Sequence, residues 1–161
     1  GPVQKYDKHV EAAIIKMELG ALSDRIAMQL SGGEQARVLI ARALAQDTSI
    51  LMADEPTASL DPANQISTLK TFLELAEAGK GIIASIHDLG LAARYCTKLA
   101  LLDRGKLVAF GPADAVLTPI NLRTVFSIEA HYKNTKQGVI FQPLSVLKKS
   151  NKNFDQGDTL K

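Results

Sequence analysis

Three segments of the chain place apolar residues at the spacing of a helix face. The first covers residues 5–19, the second runs from Ser31 to about Ala45, and the third runs from Asp61 to about Gly79. Repeats at i, i+3, i+4 and i+7 are typical of an amphipathic helix that packs on a core. The predicted buried faces are Val10, Ala13, Ile14 and Met17, then Ala36, Leu39, Ile40, Ala43 and Leu44, then Ile66, Leu69, Phe72, Leu73 and Ala76.

Short apolar runs between and after these helices predict strands. Ile50–Ala53 and Ile82–Ile86 contain few or no polar residues, which favours strands covered on both faces. Leu99–Phe110, with a polar turn at its centre, predicts a hairpin. Further short elements are expected as helices at 91–95, 113–117 and 119–126 and as a strand at 139–141. The alternation predicts an α/β fold with a mostly parallel sheet flanked by helices, whose ligands lie at the carboxyl ends of strands.

Composition narrows the class of protein only slightly. The 161 residues are 46% hydrophobic and 22% charged, which excludes collagen-like and wholly disordered chains. A net charge of +2 gives no indication of nucleic-acid binding. The single cysteine, Cys96, allows no internal disulfide and favours a reducing compartment. No apolar run approaches the roughly 20 residues that span a bilayer.

Two adjacent carboxylates, Asp54 and Glu55, directly follow the first predicted strand. One carboxylate at such a place can hold Mg²⁺ through water, and the other can deprotonate an attacking water. The alternative interpretation is a solvated acid pair at the end of a strand. His87 follows the second strand in the same way, where it can contact a γ-phosphate or serve a structural role.

A glycine pair opens the second predicted helix, in the sequence Leu30-Ser31-Gly32-Gly33-Glu34-Gln35. Glycines let backbone N–H groups approach a phosphate, and the N-terminus of a helix carries about half a positive charge. The alternative is a plain loop with a capping box, in which Ser31 and Glu34 satisfy each other's backbone N–H groups.

The order of these motifs resembles the ATPase domain of ABC transporters. Leu30–Gln35 is similar to the signature motif of that family, Asp54-Glu55 to its Walker B motif, Ser59-Leu60-Asp61 to its D-loop and His87 to its H-loop. The resemblance is strong over residues 8–112 and implies a P-loop NTPase-like core. Four motifs in this order identify the family more specifically than any one of them.

The resemblance also implies a role for each matching residue. Asp54 would support Mg²⁺, Glu55 would be the general base and His87 would contact the γ-phosphate of ATP. Asp61 would communicate across a head-to-tail homodimer. The signature residues would bind the ATP held by the opposite subunit; they are Ser31, Gly32, Gly33 and Gln35.

One departure from the family is large, because the chain contains no G-x-x-x-x-G-K-[ST] sequence and no convincing Q-loop. We therefore expect a truncated domain that lacks the N-terminal P-loop half and hydrolyses little or no ATP alone. A sheet cut in this way exposes an edge and an apolar face, so the chain is expected to self-associate.

The expected organisation follows from that interpretation. Gly1-Pro2 resembles the remnant of a cleaved tag. The other predicted parts are residues 3–47 as part of the helical signature subdomain, 48–112 as the second half of the nucleotide-binding core, 113–147 as C-terminal helices and short strands, and 148–161 as a polar flexible tail.

The segments Gly111–Pro119, Leu122–Phe126 and Val139–Leu144 are most similar to importers of iron-siderophore, haem or vitamin B12. This resemblance implies a permease partner and a peripheral place on the cytoplasmic face of the cell membrane. Two alternatives stay open. One is an ABC-type ATPase of DNA repair, chromosome organisation or translation. The other is a non-catalytic half-domain that supplies its signature motif to another subunit.

Overall fold

The structure, a computed structural model, describes residues 3–136 and 138–147. The predicted tag remnant at 1–2 and the predicted tail at 148–161 lie outside the described residues. By its internal contacts the chain forms two compact units, one up to Cys96 and one from Thr97. The predicted subdomain boundaries at 47/48 and 112/113 stay a prediction.

Four helices and one pair of strands build the first unit. The helices are α1 (Val3–Lys16), α2 (Gly32–Leu44), α3 (Pro62–Glu77) and α4 (Leu89–Tyr95), and the strands are β1 (Ile50–Ala53) and β2 (Gly81–Ala84). Two short 3₁₀ turns, Gly20–Leu22 and Ala27–Gln29, connect α1 to α2. Apolar residues of α1, α2, β1 and α3 form one core; its buried members include Ala13, Met17, Ile40, Leu51, Leu69, Phe72 and Leu75.

The first helix ends earlier than its apolar pattern predicts. Glu18 adopts the left-handed conformation with φ 53°, and the Leu19 N–H donates to the Ile14 carbonyl at 2.9 Å. This Schellman arrangement satisfies carbonyls at the end of the helix. Gly20 begins the next turn, and Met17 and Leu19, which follow the helix, are buried as an extension of the core.

The third helix follows its predicted bounds closely. Asp61 is the N-cap, and Gly79, at φ 93°, closes a Schellman motif in which the Lys80 N–H donates to the Leu75 carbonyl at 3.0 Å. Its buried face is shifted from the prediction, because Leu75 is buried and Ile66 is 36% exposed.

The two strands of the first unit run parallel, with Ile50 opposite Gly81 and Ala53 opposite Ala84. Leu51 packs into the core, but Met52 is 76% exposed and Ile83 is 55% exposed. The prediction that these strands are covered on both faces is therefore wrong for the described residues, since helices cover only one face. The prediction that Leu39 belongs to the buried face of α2 is also wrong, because Leu39 is exposed.

The second unit contains two antiparallel hairpins separated by short helical turns. β3 (Leu99–Asp103) pairs with β4 (Lys106–Gly111), which confirms the predicted hairpin. The left-handed pair Arg104 and Gly105, at φ 48° and 76°, gives the tight turn whose twist matches that of the strands. Because the strand pairs of both hairpins are antiparallel, β1–β2 is the one parallel pair among the described residues.

Helical turns lead from the first hairpin to the last one. They are α5 (Ala113–Val116), α6 (Pro119–Asn121) and a π-helical turn over Leu122–Phe126. The predicted short helices at 113–117 and 119–126 agree with these turns. β5 (Ile128–Thr135) then pairs with β6 (Gly138–Val146). The sequence predicted only residues 139–141 of this hairpin as strand.

Candidate functional site

The ends of β1 and β2 bring three of the predicted site residues together. Asp54 and Glu55 follow the last residue of β1, and His87 follows β2 after Ser85 and Ile86. Because the two strands are parallel and their last residues are paired, their carboxyl ends lie at the same edge. Asp54, Glu55, Ser85 and His87 are called the strand-end cluster below.

Hydrogen bonds join the two sides of the strand-end cluster. The Ser85 hydroxyl donates to Asp54 Oδ1 at 2.6 Å and accepts the Glu55 backbone N–H at 2.8 Å. His87 Nε2 lies 2.6 Å from Glu55 Oε1. The His87 side chain is 82% exposed and that of Glu55 is 47% exposed, so solvent screens this pair. The cluster is therefore accessible to a ligand.

Glu55 has an uncommon backbone conformation. Its φ is 46°, in the left-handed region that costs a residue with a side chain on the order of 1 kcal/mol or more. Such a conformation persists where surrounding contacts hold it, and the bond from the Glu55 N–H to Ser85 is one such contact. The structure thus fixes Glu55 from the neighbouring strand.

The start of α2 holds the other predicted group, Ser31, Gly32, Gly33 and Gln35, called the helix-start cluster below. Ser31 is the N-cap: its hydroxyl accepts the Glu34 N–H at 3.3 Å, and its own N–H donates to Glu34 Oε2 at 2.7 Å. This is the predicted capping box. The Gln35 amide donates to the Leu30 carbonyl at 2.9 Å. Hydrogen bonding from Ser31, with its backbone N–H as the largest cause, holds the pKa of the Glu34 carboxyl below its usual range.

Gly33 joins the helix-start cluster to the start of α3. A Cβ at Gly33 would collide with the Asn64 side chain, because the Asn64 amide occupies the space that a side chain would need. Asn64 also donates from its backbone and its side chain to the Asp61 carboxylate. These bonds lower the pKa of Asp61. The predicted D-loop residue Asp61 is thus the N-cap of α3 in this structure.

Both clusters border one groove of the first unit, with a volume of about 690 Å³. Gly32 and Gln35 line it from α2, and Asp54 and Glu55 line it from the end of β1. The exposed side chains of Leu39, Ile50 and Met52 are among its apolar lining. His87 is not among the lining residues.

Asp54 fits a role as a magnesium ligand in part. Ser85 occupies Oδ1, and Oδ2 has no protein partner among the described residues. The part of the chain that the structure describes contains no group of three or more His, Cys, Asp or Glu residues able to hold a metal. Because Mg²⁺ is usually held by one or two carboxylates, substrate phosphates and water, Asp54 suits a nucleotide-bound ion better than an all-protein site.

Comparisons with known proteins agree with the motif order. Residues 4–58 match the family described as ABC transporter. A hemin import ATP-binding protein of Bordetella avium is 44% identical over 132 residues, which are 77% of this chain and 51% of that protein. The chain thus spans about half the length of the curated relatives that it matches.

Solved structures of ABC transporter proteins also match this chain over about half of their own length. A metal-chelate type ABC transporter in an inward-facing conformation matches 86% of this chain and 57% of its own, with a TM-score of 0.75 and 28% identity. A dimeric ATP-binding cassette bound to ADP and phosphate matches 66% of this chain and 46% of its own, with a TM-score of 0.56 and 30% identity.

These elements form a truncated α/β domain with the fold of part of an ABC ATPase cassette, which has a P-loop NTPase fold. The chain is similar to part of the ATP-binding domain of ABC transporters. Within the described residues, no helix combines the length and the apolar character that a membrane span requires.

Sequence reasoning missed two residues that the structure places in the site. Ser85 bridges Asp54 and Glu55, and its signal was a polar residue inside an apolar run two positions before His87. Asn64 fills the space beside Gly33, and its contacts had no signal in the local pattern. Both act across elements that are distant in sequence.

Proposed function

We propose that the complete protein hydrolyses ATP to power an ABC-type importer. The strand-end cluster is the observation that carries this proposal, because it sets two carboxylates and a histidine at the edge where parallel sheets bind ligands. The matching relatives that are named as import ATP-binding proteins support the transport role over a role in DNA repair or translation.

Within this proposal, each member of the strand-end cluster has one role. Glu55 accepts the proton of the attacking water as general base, and Asp54 holds Mg²⁺. When bound, Mg²⁺ neutralises the charge that develops on the phosphate oxygens. His87 donates a hydrogen bond to the γ-phosphate. Its Nε2 lies 2.6 Å from Glu55 Oε1 here, so a phosphate oxygen would compete with Glu55 for the same imidazole.

The helix-start cluster serves a second ATP in this proposal. Gly32 and Gly33 are the first residues of α2, where backbone N–H groups lack partners within the helix. Ser31 has a hydroxyl proton free to donate, because its oxygen accepts in the cap. These groups, with Gln35, suit the phosphates of an ATP held by a second subunit, and Asp61 would lie at that homodimer interface. The dimeric relative bound to ADP and phosphate supports this arrangement.

The cargo and partners follow from the relatives rather than from the site. We propose a haem or metal-chelate cargo, in the same class as iron-siderophore and cobalamin, chosen by an integral-membrane permease. The protein would lie on the cytoplasmic face of the membrane against that permease. No nucleic-acid partner is proposed.

This chain alone is expected to hydrolyse little or no ATP. The sequence contains no G-x-x-x-x-G-K-[ST] loop, which in such enzymes cradles the β- and γ-phosphates and supplies the lysine. The exposed apolar residues Leu39, Ile50, Met52 and Ile83 support the prediction that the chain self-associates. Light scattering after size exclusion measures this, and a clean monomer would count against it.

Glu55→Gln in the complete protein tests the proposed function. The amide keeps the size of the side chain but cannot accept the proton of water, so kcat should fall by about 10²-fold or more while ATP binding remains. Glu77→Gln, the same change at the exposed end of α3, is the matched control and should leave kcat unchanged. Steady-state phosphate release and equilibrium binding of labelled ATP measure the two quantities.

Two results would contradict the proposal. Unchanged turnover in Glu55→Gln would show that Glu55 is not the base. Absence of ATP hydrolysis by the wild-type complete protein, in the presence of its permease, would remove the ATPase function itself and favour the half-domain alternative.

A further inference from the structure

The Ser85 side chain contacts both carboxylate residues of the strand-end cluster. Its Oγ lies 2.6 Å from Asp54 Oδ1 and 2.8 Å from the Glu55 N–H. Its backbone N–H donates to the Ala53 carbonyl at 3.0 Å, which continues the β1–β2 pairing by one residue. The register of the two strands therefore determines that the Ser85 hydroxyl lies between Asp54 and Glu55.

A hydroxyl is the group that this geometry requires. It carries one donor and two acceptor lone pairs, so it can donate to a carboxylate and accept an amide N–H at once. The bond to Asp54 falls in the range of charge-assisted O–H···O⁻ bonds, which are roughly twice as strong as neutral ones. Alanine and valine supply neither bond, whereas threonine supplies both.

We propose that Ser85 is a positioning residue for hydrolysis of Mg²⁺–ATP, an inference that rests on the proposed function. The hydroxyl orients the Asp54 carboxylate by occupying Oδ1, which leaves Oδ2 for the metal. It also holds the Glu55 backbone in its left-handed conformation, at φ 46°. This contact fixes the backbone from which the side chain of the general base extends. Ser85 acts through these two residues and touches no reacting atom.

The first arm of the experiment uses this chain itself and needs no nucleotide. Amide hydrogen exchange of ¹⁵N-labelled protein reports the bond from the Glu55 N–H to Ser85. Ser85→Val should speed exchange of the Glu55 amide by about 2- to 10-fold, the range that corresponds to one net hydrogen bond. Ser85→Thr, which has nearly the same shape as valine and keeps the hydroxyl, should retain wild-type exchange.

The second arm uses the complete protein and separates positioning from stability. Ser85→Val should lower kcat by about tenfold or more and raise the Mg²⁺ concentration needed for half-maximal rate, because Asp54 is no longer oriented. Ser85→Thr should restore both values. Ser145→Val, the same change at an exposed serine of β6, is the matched control and should alter neither.

The outcomes distinguish this inference from the proposed function. Wild-type exchange of the Glu55 amide in Ser85→Val, or an unchanged kcat and Mg²⁺ dependence, overturns the positioning role while Glu55→Gln still tests the ATPase. A fall in kcat that Ser85→Thr does not rescue also overturns it, since the hydroxyl would not be the cause. If the wild-type complete protein hydrolyses no ATP, the proposed function fails and the positioning role fails with it. The exchange arm then reports only whether the hydrogen bond exists.

Discussion

The strand-end cluster and the helix-start cluster are built by opposite means. In the strand-end cluster, the hydrogen bonds join residues 30 to 32 positions apart, across two strands. In the helix-start cluster, each side-chain bond spans three to five positions within one helix start. Gly33 is the exception, because it packs against Asn64 of α3.

This difference indicates which parts of the site depend on the rest of the fold. The helix-start cluster carries its own caps and needs α3 only for the contact at Gly33. The strand-end cluster exists only while β1 and β2 remain paired, and Leu51 anchors that pair to the core. Damage to the core should therefore affect the proposed hydrolytic residues before the proposed phosphate-binding helix.

Leu51→Ala should have the largest effect on stability. Leu51 is 5% exposed and packs among core residues, so its truncation should lower the free energy of unfolding by about 2–5 kcal/mol. Met52→Ala, one position along the same strand on its open face, should change it by less than about 0.5 kcal/mol. Urea unfolding of both variants measures this, and equal losses would contradict the one-sided burial of β1.

Gly33→Ala should have an intermediate effect that tests the contact between α2 and α3. The new Cβ would displace Asn64, and overpacking of this kind costs about 1–3 kcal/mol. Gly32→Ala is the matched control, because its Cβ would meet Leu60 Cδ2 at 3.5 Å, an ordinary contact. Thermal unfolding compares the two variants; a tolerated Gly33→Ala would mean that the helix start is wholly local.

Lowering the pH should have the smallest effect on the free energy of unfolding. The effect should come from the carboxylates that cap the starts of α2 and α3. The pKa values of Glu34 and Asp61 are lowered by hydrogen bonds to Ser31 and Asn64, so their contribution is present above the ordinary carboxyl range. That contribution is lost as the pH falls below about 4 and through the lowered values.

Glu34→Gln and Asp61→Asn keep hydrogen-bonding side chains but do not ionise, so both should flatten the fall in stability between pH 5 and acid. Urea midpoints at pH 7, 5 and 3 measure the effect in each variant. Glu77→Gln, a carboxylate without a hydrogen-bond partner among the described residues, should keep the wild-type slope. An unchanged slope in all three variants would show that the caps do not couple to pH.

The sequence predicted features that a few neighbouring residues determine. The capping box of Ser31 and Glu34 and the polar turn of the hairpin, which lies at Arg104-Gly105, are both local. It failed where burial depends on elements that are distant in sequence. Leu39 has the spacing of a buried residue but is exposed, because no described element covers that face of α2.

In the candidate site, too, the sequence predicts the residues of local motifs and misses those that depend on distant elements. The ordered motifs predicted Asp54, Glu55 and His87 as site residues, and the parallel strand ends explain why these residues lie together. Ser85 could not be assigned from the sequence, because its two bonds depend on the register between β1 and β2. β5 was missed because alternating polar residues such as His131 and Lys133 disguise a two-stranded, largely exposed hairpin.

The coding sequence upstream of this chain in the native gene is the most direct test of the central claim, that Glu55 belongs to an ATP-hydrolysing cassette. We predict an in-frame glycine-rich loop of the form G-x-x-x-x-G-K-[ST] before Ser31, because Glu55 needs a phosphate held against it. A reading frame that starts near Val3 and encodes no such loop would contradict autonomous hydrolysis, and a partner would have to supply the phosphate site.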